Sequence, residues 1–254
     1  MTPVFIGEQT LLTETCHGDF IYLDAIDTGV TPNILRSGRW EPAIEALFLE
    51  RLRPGMHVID VGANCGYFTL AACRHVGSRG RVLAVEANPD MARRVTRSLF
   101  ANGYQDRARV MNAAASDKEG KLEFTVPAEG SGFGTLLGGT RAGERMDVVA
   151  YTLDVMADTG PVDVLKIDVE GAESLVWEGA QEIIARSHEL TVFMEFMPEM
   201  LSQTVEPGAF LDRIHGQGFT IREIMPDGTV LAGDRDRLLA RSWAELLLTR
   251  REPG

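Results

Sequence analysis

The densest run of chemistry-bearing residues in the 254-residue sequence is Val162-Asp163-Val164-Leu165-Lys166-Ile167-Asp168-Val169-Glu170-Gly171-Ala172-Glu173. It reads as a short buried strand running into a helix. Strand alternation puts Lys166, Asp168 and Glu170 on one face if the extension persists. Carboxylates held close together raise one another's affinity for protons, so one of them could serve as a general base. In the plainer alternative Asp168 only orders a bound molecule, and Glu170 or Glu173 only caps the next helix. Glu195 ends a second apolar run, Val192-Phe193-Met194-Glu195-Phe196. An unpaired carboxylate is costly there, so Glu195 is expected to face a cleft or a cation such as Lys166.

A different chemistry is written in Asp60-Val61-Gly62-Ala63-Asn64-Cys65-Gly66. A buried strand enters a glycine turn that opens a helix. Gly62 and Gly66 permit close backbone approach, and Asn64 is a residue that tolerates left-handed backbone. A dinucleotide turn needs G-x-G-x-x-G, but counting from Gly62 the second and third glycines are replaced by Asn64 and Tyr67. Asp60 at the strand end would also repel a diphosphate. The same carboxylate suits a cationic ligand without phosphate, and S-adenosylmethionine, with its ammonium and sulfonium, is such a ligand. Glu86 ends the next strand, 20 residues after Gly66, where a carboxylate can accept both ribose hydroxyls. Ala87 follows it, and Asn88-Pro89 is a cap and first-turn pair, with ligand contact secondary for Asn88. At a third tip, Asn112-Ala113-Ala114-Ala115-Ser116-Asp117, the small residues, Ala115 among them, leave room for an adenine ring, and a backbone amide or Ser116 could meet its edge; close strand packing explains them equally well.

The elements that must place these tips alternate. Strands are expected at 57–61, 81–85, 109–114, 162–168, 189–196, 218–225 and 245–249. Helices are expected at 41–52, 66–76, 88–102, 172–187 and 208–215. An added strand is expected at 121–126 and a glycine-rich loop at 128–143. Such alternation gives an α/β fold with a parallel sheet covered on both faces, and ligands at the carboxyl ends of its strands. Residues 1–40 read as an N-terminal hairpin extension, and 41–254 as the ligand-binding domain.

Lys and Arg number 25 against 37 Asp and Glu, a net charge of −12. With no basic run to neutralise phosphates, nucleic acid is not the expected partner. No stretch of ~18 apolar residues predicts a membrane span, and the first residues lack a signal-peptide pattern. Three cysteines, Cys16, Cys65 and Cys73, form neither a disulfide framework nor a zinc motif and fit a reducing cytoplasm.

VIDVGANCGYFTL (58–70), VLAVEANPD (82–90), AASDKEG (114–120), YTLDVM (151–156), VDVLKIDVEGAE (162–173) and MEFMPE (194–199) together resemble the FkbM family of S-adenosylmethionine-dependent methyltransferases. The likeness covers residues 40–200 well, and KIDVEGAE is its most specific part. It implies a class I methyltransferase (Rossmann-like) fold: a seven-stranded, mostly parallel sheet with a final antiparallel strand. It implies methyl transfer to a hydroxyl of a sugar or secondary metabolite. Asp60, Gly62, Ala63, Asn64, Gly66, Glu86 and Asp168 then fall on cofactor contacts. Lys166, Asp168, Glu170 and Glu195 fall on the shared acidic edge, with Asp168 the first candidate base, then Glu170 and Glu195. Glu41, in Arg39-Trp40-Glu41-Pro42, falls where the family closes over the cofactor.

Other readings stay open: N- or carboxyl-methylation of a peptide or amino sugar, or a non-catalytic binding domain. Mg²⁺ held by Asp168, Glu170 and Glu195 is the mechanistic alternative to a metal-free reaction. His17 and His188 are weaker candidates for a base. The loop 129–139 is expected to act as a lid through Phe133 or to be a plain hairpin extension. The N-terminal hairpin offers a surface for a homodimer.

Overall fold

Strand His57–Val61 shows how the core is built. Val58 packs into the apolar cluster on one face of the sheet and Ile59 into the cluster on the other. Val164 and Leu165, then Phe193 and Val192, divide in the same way. A strand buried on both sides needs a continuous apolar run, which is why these segments carry little polar alternation. The computed structural model describes residues 2–127, 134–136 and 143–250.

The main sheet runs in the order Val230–Ala232, Phe219–Ile224, Ala244–Arg250, Thr191–Phe196, Val164–Ile167, His57–Val61, Arg81–Glu86, Ala108–Asn112. The last five are mutually parallel. Ala244–Arg250 is antiparallel to both of its neighbours, as expected for the final strand. The expected seven strands are joined by an eighth. After Phe219–Ile224 the chain turns at Asp227-Gly228 and lays Val230–Ala232 on the edge.

Helices Pro42–Arg51, Tyr67–Val76 and Pro89–Ala101 contribute Phe48, Leu70 and Val95 to one face. Glu173–Glu178, Gln181–Arg186 and Pro207–Gly216 contribute Trp177, Ile183 and Phe210 to the other. The helix expected over 172–187 is therefore two. The chain breaks at Gly179, where a Cβ would lie 2.0 Å from the Ser116 carbonyl oxygen.

Two smaller sheets flank this body. The expected N-terminal hairpin is the Thr10–Glu14/Phe20–Asp24 pair, to which Val4–Phe5 adds a third strand and Val30–Ser37 a helix. The expected strand at 121–126 is Gly120–Pro127, but it pairs with Gly143–Tyr151 in a separate sheet completed by Ala114–Ala115. No helix among the described residues is long and apolar enough to cross a membrane.

Candidate functional site

The carboxyl ends of the parallel strands open into a cavity of about 410 Å³. This lies in the range of small-molecule sites. Register builds its floor. Asp60 pairs across the strands with Lys166, and Lys166 with Phe193. Two residues further along, Glu195 pairs with Glu245. Period-2 alternation therefore sets Asp60, Lys166, Glu195 and Glu245 on one face of the sheet.

Gly62 turns the chain at φ 79°, and a Cβ there would lie 1.8 Å from the Asp168 carbonyl oxygen. Only glycine lets the two strand tips touch. Asn64 takes the left-handed conformation expected of it, at φ 51°. Its backbone N–H donates to Glu86 Oε2 at 2.7 Å, and the N–H of Asn88 donates to Glu86 Oε1 at 2.8 Å. Burial pushes the Glu86 carboxyl up to about 7 in spite of these bonds. Asp60 is 1% exposed and accepts from Thr69 Oγ1 at 2.6 Å. Burial raises its pKa, against the pull of Lys166 and Thr69.

Lys166 is buried, with Nζ 2.6 Å from Asp168 Oδ2 and 4.7 Å from the centre of the Phe68 ring. Burial alone would lower its pKa. Asp168, Glu41, Asp60 and Glu245 outweigh it and hold the ammonium above its ordinary value. Lys166 is thus a fixed cation, not the proton acceptor. Glu195 has one oxygen bonded and one not: Trp243 Nε1 donates to Oε1 at 3.0 Å, and Oε2 is buried without a partner. Burial, then the charges of Asp168, Glu170, Glu173 and Glu245, raise its pKa well above the carboxylate range. Glu41 sits at φ 47° as the N-cap residue of helix Pro42–Arg51, its Oε2 also buried without a partner. Burial pushes it up to about 7, opposed by Lys166.

The structure gathers Glu41, Asp60, Gly62, Ala63, Asn64, Glu86, Ala87, Lys166, Asp168, Glu170 and Glu195 around this cavity. Four expected residues do not line it. Gly66 opens helix Tyr67–Val76 and packs on Val95. Asn88 accepts from the N–H groups of Asp90 and Met91 as a helix cap. Ala115 and Ser116 lie beyond it, and Ala113 and Ala114 take their place on the wall. The strand face proposed for 166, 168 and 170 also stops short. The strand ends at Ile167 and Glu170 turns to φ 54°, so it reaches the cavity from a loop, where its carbonyl accepts from Thr135 Oγ1. Glu173 takes the plainer role: its Oε1 accepts from the N–H groups of Val169 and Gly171. His188 is exposed in the turn before strand Thr191–Phe196, at the end away from the cavity. Phe133 lies outside the described residues.

Residue spacing did not single out the aromatic walls, Tyr67, Phe68, Phe124 and Trp243. Trp40 stood in a quoted motif only as the neighbour of Glu41. Trp243 had a readable signal, because an antiparallel final strand beginning beside it brings it to the end of the Glu195 strand. Asp168, Glu170 and Glu195 do not offer three oxygens within 4.8 Å of one another; among the described residues, Cys16, His17 and Glu45 form the group of that kind.

The family described as methyltransferase FkbM domain matches residues 60–221, from the first tip past the last parallel one. The chain belongs to this family. The FkbM match spans every strand tip described above. Among curated proteins, the chain is 40% identical over 55 residues to protein-L-isoaspartate O-methyltransferase 1 of Archaeoglobus fulgidus, covering 22% of this chain and 26% of that one. It is 30% identical over 97 residues to catechol O-methyltransferase of Mus musculus, covering 37% and 36%. The chain thus spans about a quarter to a third of the curated relatives it matches. A putative rRNA-methylase from Clostridium thermocellum shares the fold with a TM-score of 0.53 at 11% identity, over 84% of this chain and 96% of that one. A putative transferase from Pyrococcus horikoshii does so with 0.53 at 11%, over 97% and 73%. Family and fold together are those of S-adenosylmethionine-dependent methyltransferases.

The residues present fit that cofactor. Its ammonium, sulfonium and ribose hydroxyls call for anionic acceptors. The cavity supplies Asp60, Glu86 and Glu41, the last with an unpartnered oxygen.

Proposed function

We propose that this FkbM domain transfers a methyl group from S-adenosylmethionine to a hydroxyl of a sugar or secondary metabolite. Asp60, Glu86, Glu41 and the Gly62–Asn64 turn would hold the cofactor, which when bound supplies an electrophilic methyl on a cationic sulfur. The names of the two relatives, protein-L-isoaspartate O-methyltransferase and catechol O-methyltransferase, both denote transfer to oxygen and support an oxygen acceptor here.

An alcohol is a weak nucleophile until it loses its proton. Glu195 is the group we assign to receive it. Its side chain lines the cavity, its buried Oε2 has no partner, and the Trp243 N–H fixes the carboxyl by its other oxygen. We give Asp168 a different part from the one expected first: its Oδ2 engages Lys166 within the same strand tip, while its backbone carbonyl packs against the Gly62 turn. The aromatic walls and the packed floor restrict water and hold the acceptor in line, and alignment of this kind supplies much of the rate.

The observation that carries the reading is the same-face row of buried acids around one committed lysine. Such a floor accepts a cationic guest and rejects a phosphate. Calorimetry tests it: S-adenosylmethionine and its demethylated product should bind one per chain, while NAD should not. A chain that binds NAD and neither sulfur compound refutes the proposal.

A further inference from the structure

Outside the methyl-transfer cavity, the turn at Thr15–Asp19 brings two adjacent residues onto a buried carboxylate. His17 Nε2 lies 2.5 Å from Glu45 Oε1 and Cys16 Sγ lies 3.7 Å from the same atom. The three donor atoms fall within 4.8 Å of one another, and among the described residues this is the group of His, Cys and carboxylate donors that does so. We propose that Cys16, His17 and Glu45 form a binding site for a soft divalent cation, with Zn²⁺ the best fit.

The donor set argues for the metal's class. A thiolate with an imidazole selects zinc-like ions over Mg²⁺ or Ca²⁺, which take oxygen. Tetrahedral Zn²⁺ holds sulfur at ~2.3 Å and nitrogen or oxygen at ~2.0–2.2 Å, which sets its ligand atoms roughly 3.3–3.6 Å apart. The Cys16–Glu45 separation of 3.7 Å is just above that range, and His17 needs to withdraw by less than an ångström. The turn can allow this, since His17 is only partly buried and Cys16 is exposed.

Glu45 is ready to be a ligand. It is completely enclosed, and its two oxygens are held by neighbours on separate elements. Arg39 donates to Oε2 at 2.5 Å, and the hydroxyl of Tyr67 donates to Oε1 at 2.6 Å. Arg39, 45% exposed, holds Oε2, while Oε1, with Tyr67 donating to it, is the oxygen that faces Cys16 and His17. These are the outer partners that orient a ligating carboxylate. On binding, the Cys16 thiol releases its proton to solvent, the proton of the neutral His17 ring resides on Nδ1, and one coordination position stays open to water. Binding therefore weakens as the pH falls.

The site ties parts of the chain that the FkbM match leaves outside. Cys16 and His17 belong to the N-terminal sheet's turn, and Glu45 to the helix that starts at Glu41. Tyr67, which touches both Glu45 and Cys16, lines the cavity. A metal there would clasp the N-terminal segment to the helix that carries a cavity carboxylate. The proposal does not depend on the methyl-transfer reading.

The test is titration of the purified chain, stripped with a chelator, with Zn²⁺ and with Co²⁺ as a spectroscopic stand-in. One equivalent should bind, with a thiolate-to-cobalt charge-transfer band in the near ultraviolet. Cys16→Ser should abolish the band. Cys16→Ser and His17→Ala should each weaken Zn²⁺ binding by more than about 100-fold, beyond the effect usual for an outer partner, with unchanged far-ultraviolet circular dichroism. No retained Zn²⁺ at micromolar free metal overturns the proposal, as does Co²⁺ binding without the band or binding unaltered in both variants. In those cases the cluster is a hydrogen-bonded ion pair alone.

Discussion

At the Gly62 end of the cavity the polar groups are already occupied: Glu86 accepts a backbone N–H on each oxygen and Asp60 takes the hydroxyl of Thr69. At the Trp243 end, Glu195 keeps one buried oxygen without a partner, and Glu41 across the cavity does the same. A buried acceptor left unpaired costs free energy. The acids of the first region are already held in place when a guest arrives, whereas an unpaired oxygen is satisfied only when a donor enters. On the proposed reading the held acids and Glu41 meet the cofactor, and Glu195 meets the group that is to be deprotonated.

The sharpest way to break this contrast is at Glu195. Glu195→Gln should lower kcat by about 10²–10⁴-fold, the usual worth of a general base, while calorimetry shows nearly unchanged cofactor binding. A fall below tenfold would move the proton acceptor elsewhere. Asp168→Asn tests the floor. It leaves the buried Lys166 ammonium without its 2.6 Å partner, and losing one member of a buried pair costs about 3–5 kcal/mol. Urea unfolding should show that loss; Asp168→Asn at wild-type stability would mean that the ion pair does not anchor the tip.

The pH response should report on the acids proposed to meet the cofactor. The Glu86 and Glu41 carboxyls are both pushed up to about 7, above the unfolded value of ~4.3. Folding then favours the protonated forms. Their contribution to stability is full below about pH 4 and is lost as the pH rises through 7. A cationic ligand prefers the ionised forms, so its affinity should increase between pH 6 and 8 while the melting temperature of the free chain declines. Flat affinity over that range would remove these acids from the binding of the cation. The smallest effect is expected for Trp243→Phe, which removes the N–H bond to Glu195 and keeps an aromatic wall. A hydrogen bond to a charged group is worth ~1.5–3 kcal/mol, so kcat should drop about ten- to hundredfold, with KM for the cofactor unmoved.

Much of the floor was legible because each strand tip is local. Asp60, Gly62 and Asn64 sit within five residues, and their turn follows from glycine and asparagine backbone freedom. Glu195 stood out as a charge at the end of an apolar strand. What failed required a neighbour or a break in period. Glu170 left the strand face because the extension ends at Ile167, which alternation alone does not reveal. At the third tip the small run reaches the wall through Ala113 and Ala114 and not through Ser116, a distinction that residue size along the run does not carry. Trp243 depended on strand order, since Phe196 pairs with Ala244 only once the last strand inserts antiparallel. Strand Gly143–Tyr151 begins with charges and lies outside the main sheet, so its pattern did not announce it.

Glu41 occupies a backbone conformation that nature usually reserves for glycine. Protein engineers hunting for thermal robustness would pick this position first, since Glu41→Gly relieves a strain of ~1 kcal/mol or more. The same exchange strips an anion from the wall that greets the cofactor. Hardiness and affinity are therefore set against each other at a single residue, and a thermostabilised variant chosen without a binding screen would emerge sturdier and emptier.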